Sequence, residues 1–419
     1  MLSRWAIKRH IRSHTVPDFF RRRNIEYSTF SPRQFDSIDV ECRSNGSVKL
    51  DIFHPLIGGQ PSPILLYLPA GPLFPHSTSY NDNALVSELR SSSGCTVVRI
   101  NYRSGNGHCY PLPIHDVVAG YDWVIKNLVP QYTFISRNGR IPNAAARLGV
   151  CGELVGGGLA TMLALTECRM GENRIAAAAA NNPITNWIFQ EMGHTELWEE
   201  AVFGEDALFV DGEVTSRLPS QSRKSTKSTK ERKDENSSWQ KHFNNRQLPG
   251  HALLQARDAL FRKPEHYFDR FASPILFFRT AGVNIPQDPI ETHFFESDEE
   301  PNTPIELSNP HKARRIYPPT GSGLRIPYMH VNVGAESILN DQAQELVNVM
   351  RKSITRDTNS SGAFEDDIES IINRGLSDAE RRVQLHVRPG VGLWKTNQDH
   401  QQTVNHIGEI SSWFRQVLR

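Results

Sequence analysis

The stretch Leu148-Gly149-Val150-Cys151-Gly152-Glu153-Leu154-Val155-Gly156-Gly157-Gly158-Leu159-Ala160 decides how the chain is read. A short apolar run reaches Gly152. A run of three glycines begins four residues later, at Gly156, and a helix-like segment from Leu159 to Glu167 follows. This is a strand turning sharply into a helix, with glycine wherever the backbone must pass close to a neighbour. Leu154 stands at the centre of the turn, bracketed by Gly152 and Gly156.

Working outward, the segments on either side alternate between strand and helix. Val40 to Phe53 reads as two strands around Ser44-Asn45-Gly46, and Ile64-Leu65-Leu66-Tyr67-Leu68 as a strand covered on both faces. A helix near Asn83 to Leu89 precedes a second buried strand, Thr96 to Ile100. Another helix runs from Ile114 to Lys126. The run Ile175 to Ala180 has helical propensity, but its position before Asn181-Asn182-Pro183 predicts a strand entering a loop. Later come a strand at Ile326 to Gly334, a helix through Leu339, Leu346, Val347 and Met350, a strand at Val383 to Val387, and an amphipathic helix from Gln402 to Leu418. The pattern predicts an α/β fold: a mostly parallel sheet of about eight strands with helices on both faces.

Three polar stretches interrupt it. Residues 211–245, which include Ser222 to Lys233, lack apolar periodicity and predict a disordered insertion. Asp288 to Pro310 and Thr355 to Asp366 read as further loops. Residues 1–30 differ from the rest: Arg4, Lys8, Arg9, Arg12, Arg21, Arg22 and Arg23 face the single acid Asp18. That composition suits a mitochondrial transit peptide and equally a solvated basic tail.

Composition excludes some functions. Lys plus Arg is 47 against 46 Asp plus Glu, a net charge of +1 that gives no reason to expect a nucleic-acid partner. The five cysteines (Cys42, Cys95, Cys109, Cys151 and Cys168) show no C-x-x-C or metal-finger spacing, which suits reduced thiols inside a cell, whether cytoplasmic or mitochondrial. No apolar run approaches the ~18 residues of a membrane span. No motif for a cofactor or a metal is present; Gly156-Gly157-Gly158 lacks the G-x-x-x-x-G-K-[ST] pattern of a phosphate cradle and reads as helix-to-strand packing.

From about residue 40 to the end, these pieces resemble the hormone-sensitive-lipase-like (fold-3) esterases and lipases of the α/β-hydrolase family. Asn101-Tyr102-Arg103 is similar to the family's D-Y-R, and Tyr110-Pro111-Leu112-Pro113 with Asp116 to its P-F-P-A-x-x-D-D segment. Ala272-Ser273-Pro274-Ile275-Leu276 is similar to A-S-P-L-L, and Gly334 to Asp341 to the late G-x-x-D-x-L-x-D loop. The resemblance makes 31–419 one hydrolase domain with a cap near 185–265. It makes Gly152-Glu153-Leu154-Val155-Gly156 the nucleophile elbow, G-x-S-x-G.

Each catalytic position that the resemblance implies is substituted. Leu154 stands for the serine and has no hydroxyl to attack an ester. Ser337 stands for the acid, with Glu336 beside it, and Leu393 for the histidine; the nearest histidines are His386 and His400. Pro69-Ala70-Gly71-Pro72 replaces the oxyanion loop H-G-G-G, and Pro72 has no N–H to donate. Glu153 reads as a support of the elbow, Cys151 as a buried inert thiol and Cys109 as a loop thiol beside His108. The resulting expectation is an esterase-like pseudo-hydrolase without activity, acting as a binder of a small apolar ligand or as a scaffold for a protein partner. The resemblance supplies a precedent for the binder in the plant gibberellin receptors. The alternatives are an active ester hydrolase with a non-standard site, in which Ser337 would need a histidine partner, and a structural subunit of a larger assembly.

Overall fold

The computed structural model describes residues 35–42, 46–56, 62–72, 79–105, 107–132, 147–171, 174–189, 237–281, 314–361, 368–394 and 400–418. The expectations for residues 1–30, 211–236 and Asp288 to Pro310 lie outside them.

An eight-stranded sheet organises these residues. Its strands are β1 (Asp36–Glu41), β2 (Ser47–Phe53), β3 (Ile64–Leu68), β4 (Thr96–Asn101), β5 (Leu148–Glu153), β6 (Ile175–Asn181), β7 (Tyr328–Gly334) and β8 (Val383–Arg388). Their spatial order is β1-β2-β4-β3-β5-β6-β7-β8. β1 and β2 are antiparallel to their neighbours, and β3 to β8 run parallel. The helices are α1 (Ser79–Ser93), α2 (Leu112–Asn127), α3 (Val129–Tyr132), α4 (Val155–Thr166), α5 (Ser238–His242), α6 (Gly250–Leu260), α7 (Asn340–Ser361), α8 (Ile368–Arg382) and α9 (His400–Val417).

The central strands carry no polar face because both faces are covered. Along β3, Ile64, Leu66 and Leu68 join a core that includes residues of α2, α4 and α7. Leu65 and Tyr67 point the other way, into a core shared with α1 and α9. The alanine run of β6 is a strand despite its helical propensity, since tertiary packing overrides that weak preference. Its small side chains let α4 approach closely: a Cβ placed on Gly157 would lie 3.2 Å from the carbonyl oxygen of Asn181.

Two stretches expected to be loops are helical. The end of the 211–245 insertion is ordered from Ser237 and forms α5. Ser237 caps that helix, its side chain accepting from the N–H of Gln240, while Ser238 donates from both N and Oγ to the Asp341 carboxylate. Trp239 is buried and stacks on Phe189 with ring centroids 4.6 Å apart. One aromatic anchor and one cap thus order a stretch whose average composition is that of a disordered chain. Likewise Thr355 to Ser361 continues α7. There Ile354 is buried, Thr355 Oγ1 donates to the Arg351 carbonyl, and Arg356 donates to the Tyr317 carbonyl. α8 was not anticipated.

Candidate functional site

At the C-terminal end of β5 the backbone makes the turn that the glycines imply. Leu154 sits between strand and helix with φ 52° and ψ −112°, a conformation that L-residues rarely adopt and that costs of order 1–3 kcal/mol. The glycines around it have no room for a side chain. A Cβ on Gly152 would meet the carbonyl oxygen of Gly156 at 2.3 Å; one on Gly156 would meet that of Pro69 at 2.2 Å; one on Gly158 would meet that of Ile184 at 2.3 Å. α4 is therefore pressed against the ends of β3 and β6, and the turn must stay tight. Leu154 itself has 0% exposure and belongs to the main core.

Asn181 and Asn182, at the end of β6, tie three loops together. The Leu154 N–H donates to the Asn181 carbonyl (3.0 Å), and Asn181 Nδ2 donates to Glu153 Oε1 (2.7 Å) and to the Gly392 carbonyl (2.9 Å). Asn182, in the left-handed region at φ 42°, donates from Nδ2 to the Val391 carbonyl (3.1 Å) and accepts at Oδ1 from the Gly334 N–H (3.4 Å). Glu153 Oε1 also accepts from the Trp394 N–H at 2.5 Å. This carboxylate is buried and joins the elbow to the loop after β8, as a support would. The two asparagines were not singled out in the sequence; the only signal was a turn-forming Asn-Asn-Pro after a strand.

The loops that carry the positions expected for the acid and the histidine meet here. The Glu336 N–H donates to the Gly390 carbonyl (2.9 Å), and a Cβ on Gly334 would lie 2.2 Å from the Val391 carbonyl. Their side chains serve packing. Ser337 is buried, with Oγ accepting from the Leu339 N–H at 3.2 Å, and Leu393 is buried in the same core as Leu154. Glu336 is exposed, and no hydrogen bond links its carboxylate to a histidine among the described residues. His386 lies on β8, stacked against His330 at a centroid distance of 4.2 Å.

The loop after β3 is closed as well. The Pro69 carbonyl accepts from the buried Tyr102 hydroxyl at 2.7 Å, and burial pushes the pKa of that phenol up. Gly71 has φ 83°, and a Cβ there would lie 2.9 Å from Val155 Cβ. The isopropyl group of Val155 thus packs over the loop, and Pro72 packs beside Gly105.

Residues 66–270 match the family described as α/β hydrolase fold. The chain has the α/β-hydrolase fold. Solved structures agree. A hyperthermophilic esterase from the archaeon Pyrobaculum calidifontis superposes with a TM-score of 0.53 at 14% identity, over 91% of this chain and 83% of that one. Carboxyl esterase 2 from the mycorrhizal fungus Tuber melanosporum gives 0.54 at 13%, over 94% and 90%. A thermostable esterase from Pseudomonas putida gives 0.51 at 13%, over 92% and 83%. No curated protein is significantly similar in sequence. At such identities the likeness establishes the fold.

Among the described residues of this α/β-hydrolase fold, little space is left above the elbow. A cavity of about 30 Å³ remains, lined by Val155, Leu159, Ile184, Trp187 and Phe261 among others. That is room for about one water, far from the ~300–1,000 Å³ of a small-molecule site. Aromatic rings cluster beside it: Trp187 meets Phe189 at 5.9 Å and Phe261 at 5.3 Å, and Phe189 stacks on Trp239. Cys151 is wholly buried on β5, and burial pushes its thiol pKa up, away from thiolate. The Cys109 thiol donates to the Ala259 carbonyl at 3.5 Å.

Proposed function

We propose that this α/β-hydrolase-fold protein is catalytically inactive and acts through its surface, as an interaction scaffold. The observation that carries the reading is Leu154: a buried leucine at the strained centre of the elbow, in a core shared with Leu393, and followed by Val155, which lines a cavity of about 30 Å³. Ester hydrolysis needs a nucleophile, a base to accept its proton, an acid to orient the base and donors for the oxyanion. The matching positions hold two alkyl side chains, a serine hydroxyl engaged with the backbone, and a loop covered by Val155. The same small cavity favours a scaffold over a receptor for small apolar ligands, because a ligand would have to displace Trp187 or Phe261.

The test is hydrolysis of short p-nitrophenyl esters by the full chain, with labelling by a serine-directed fluorophosphonate. The wild type and Leu154→Ser are both expected to give background rates and no label, since the serine alone has no base. Wild-type turnover that survives Leu154→Ala would place a nucleophile elsewhere and overturn the inactive reading. Saturable stabilisation by a short-chain fatty acid or its ester would overturn the scaffold in favour of a receptor.

A further inference from the structure

The end of the sheet opposite the elbow carries a different chemistry, independent of the reading above. Loops that enter the parallel strands lie there, and they are rich in arginine. Arg169 and Arg174 precede β6, beside Glu167; Arg314, Arg315 and Arg325 precede β7; Arg381 and the buried Arg382 precede β8, next to Glu380 and both ion-paired with Asp378. The stretch Arg314-Arg315-Ile316-Tyr317-Pro318-Pro319-Thr320-Gly321-Ser322-Gly323-Leu324-Arg325 contains no acid at all.

Backbone hydrogen bonds join the first two of these loops into one surface. The Met170 N–H donates to the Gly323 carbonyl (2.8 Å), the Arg325 N–H to the Cys168 carbonyl (3.1 Å), and Arg169 bridges Leu324. The Tyr317 hydroxyl donates to the Leu165 carbonyl, which ties the start of the same stretch to the end of α4. Arg169, Arg314 and Arg325 are exposed, and none forms an ion pair among the described residues. Among them stand two large apolar side chains turned to solvent, Met170 at 54% exposure and Ile316 at 68%.

We infer that this face docks on an anionic lipid bilayer. Guanidinium groups match phosphate with paired hydrogen bonds, and unpaired arginines beside a negative surface gain attraction without first breaking an ion pair. Ile316, and Met170, whose Sδ also accepts from Arg174 Nη1 at 3.0 Å, stand where the boundary between headgroups and acyl chains would accept them. An acidic protein segment would satisfy the arginines but would leave two isolated apolar side chains without a stated partner. The bilayer satisfies both. No helix among the described residues is long and apolar enough to cross a membrane, so the contact would be peripheral.

Flotation of the full chain with vesicles tests this. Vesicles of equimolar phosphatidylcholine and phosphatidylserine are expected to carry the protein, and vesicles of phosphatidylcholine alone are not. Each arginine near such a surface contributes about fivefold in partitioning, so Arg169→Glu, Arg314→Glu and Arg325→Glu together should weaken binding by about a hundredfold or more. The exposed substitutions Arg246→Glu, Arg262→Glu and Lys263→Glu elsewhere should leave it within a few-fold of the full chain. Ile316→Ser should weaken binding while leaving its salt dependence unchanged. Absence of binding to the anionic vesicles overturns the proposal. So does equal loss in the two charge variants, or undiminished binding by the first, which would assign the contact to another basic segment such as residues 1–30. Binding of soluble polyglutamate through the three arginines, with no vesicle binding, would assign the face to an acidic protein instead.

Discussion

Acidification should destabilise this protein before its carboxylates titrate, because of His330. The ring is buried on β7, stacked on His386 at 4.2 Å and facing Trp413 of α9 at 5.1 Å. Burial, then the charges of His386 and Arg388, lower its pKa from 6.5 to about 3, while Gln384 and Asn332 oppose the drop. His386 is lowered for the same reasons, burial first and Arg388 second, with Glu409 opposing. An unfolded chain therefore binds a proton near pH 6.5 that the folded His330 does not take until about pH 3. The unfolded state holds more protons across that window, so stability is full above it and falls as the pH falls. The slope is about 1.4 kcal/mol per pH unit, and going from pH 7 to pH 5 should remove about 2 kcal/mol through His330 alone. Urea unfolding at those two pH values measures this directly, and His330→Phe isolates it, since a phenyl ring can stack but cannot titrate. The wild type should lose about 2 kcal/mol more than the variant over the interval. Equal losses in the two proteins would refute the assignment, and a gain in stability on acidification would refute its sign.

Three further outcomes follow from the elbow and the rings above it. Gly156→Ala would drive a Cβ to 2.2 Å and 2.3 Å from the carbonyl oxygens of Pro69 and Leu68, and should cost about 4 kcal/mol or more in chemical denaturation. A loss below about 1 kcal/mol would mean the β3–α4 contact is loose. Leu154→Ala and Leu154→Gly both empty the same space, yet the glycine variant should be the more stable by about 1 kcal/mol, the reverse of the usual order, because only glycine adopts φ 52° without strain; the usual order would show the turn relaxed. Trp239→Ala should cost about 3–5 kcal/mol and open the aromatic plug enough for a small apolar dye to bind saturably, whereas an unchanged dye signal would show that the plug closes without it.

Much of the fold was legible because its strands carry a signal that survives without context. Ile64 to Leu68 is apolar at every position, which only a strand covered on both faces needs, and both cores claim it. Ile175 to Ala180 was legible through its neighbours, since Asn181-Asn182-Pro183 forbids a helix from continuing. Where the reading failed, the cause was tertiary. Ser237 to Asn245 and Thr355 to Ser361 are polar on average, but Trp239 buries its side chain within the first, and the second prolongs a helix already anchored by the buried Ile354 just before it. The filling of the space above the elbow could not be read at all: Trp187, Trp239 and Phe261 are far apart in sequence and meet only after folding. The arginines of the opposite face were scattered in the same way. They gather because parallel topology brings successive strand entries to one end of the sheet.

The elbow explains why a turn associated with catalysis persists with a leucine at its centre. Its path is set by what the surrounding glycines touch. Gly152, Gly156 and Gly158 bring α4 within backbone contact of β5, β3 and the chain after β6, and no other residue fits at those positions without moving a strand. Once α4 is held there, residue 154 must turn through positive φ whatever its side chain. The strain of about 1–3 kcal/mol is thus a consequence of helix–sheet packing and does not need chemistry to maintain it. Leu154 offsets that strain by burial, since fully burying a leucine contributes about 1.5–3 kcal/mol, comparable to the cost of the turn. A serine would bury far less apolar surface and so offset less of the strain. In this chain the energetics of the elbow therefore favour the leucine, and the joint between β5 and α4 stands on packing alone.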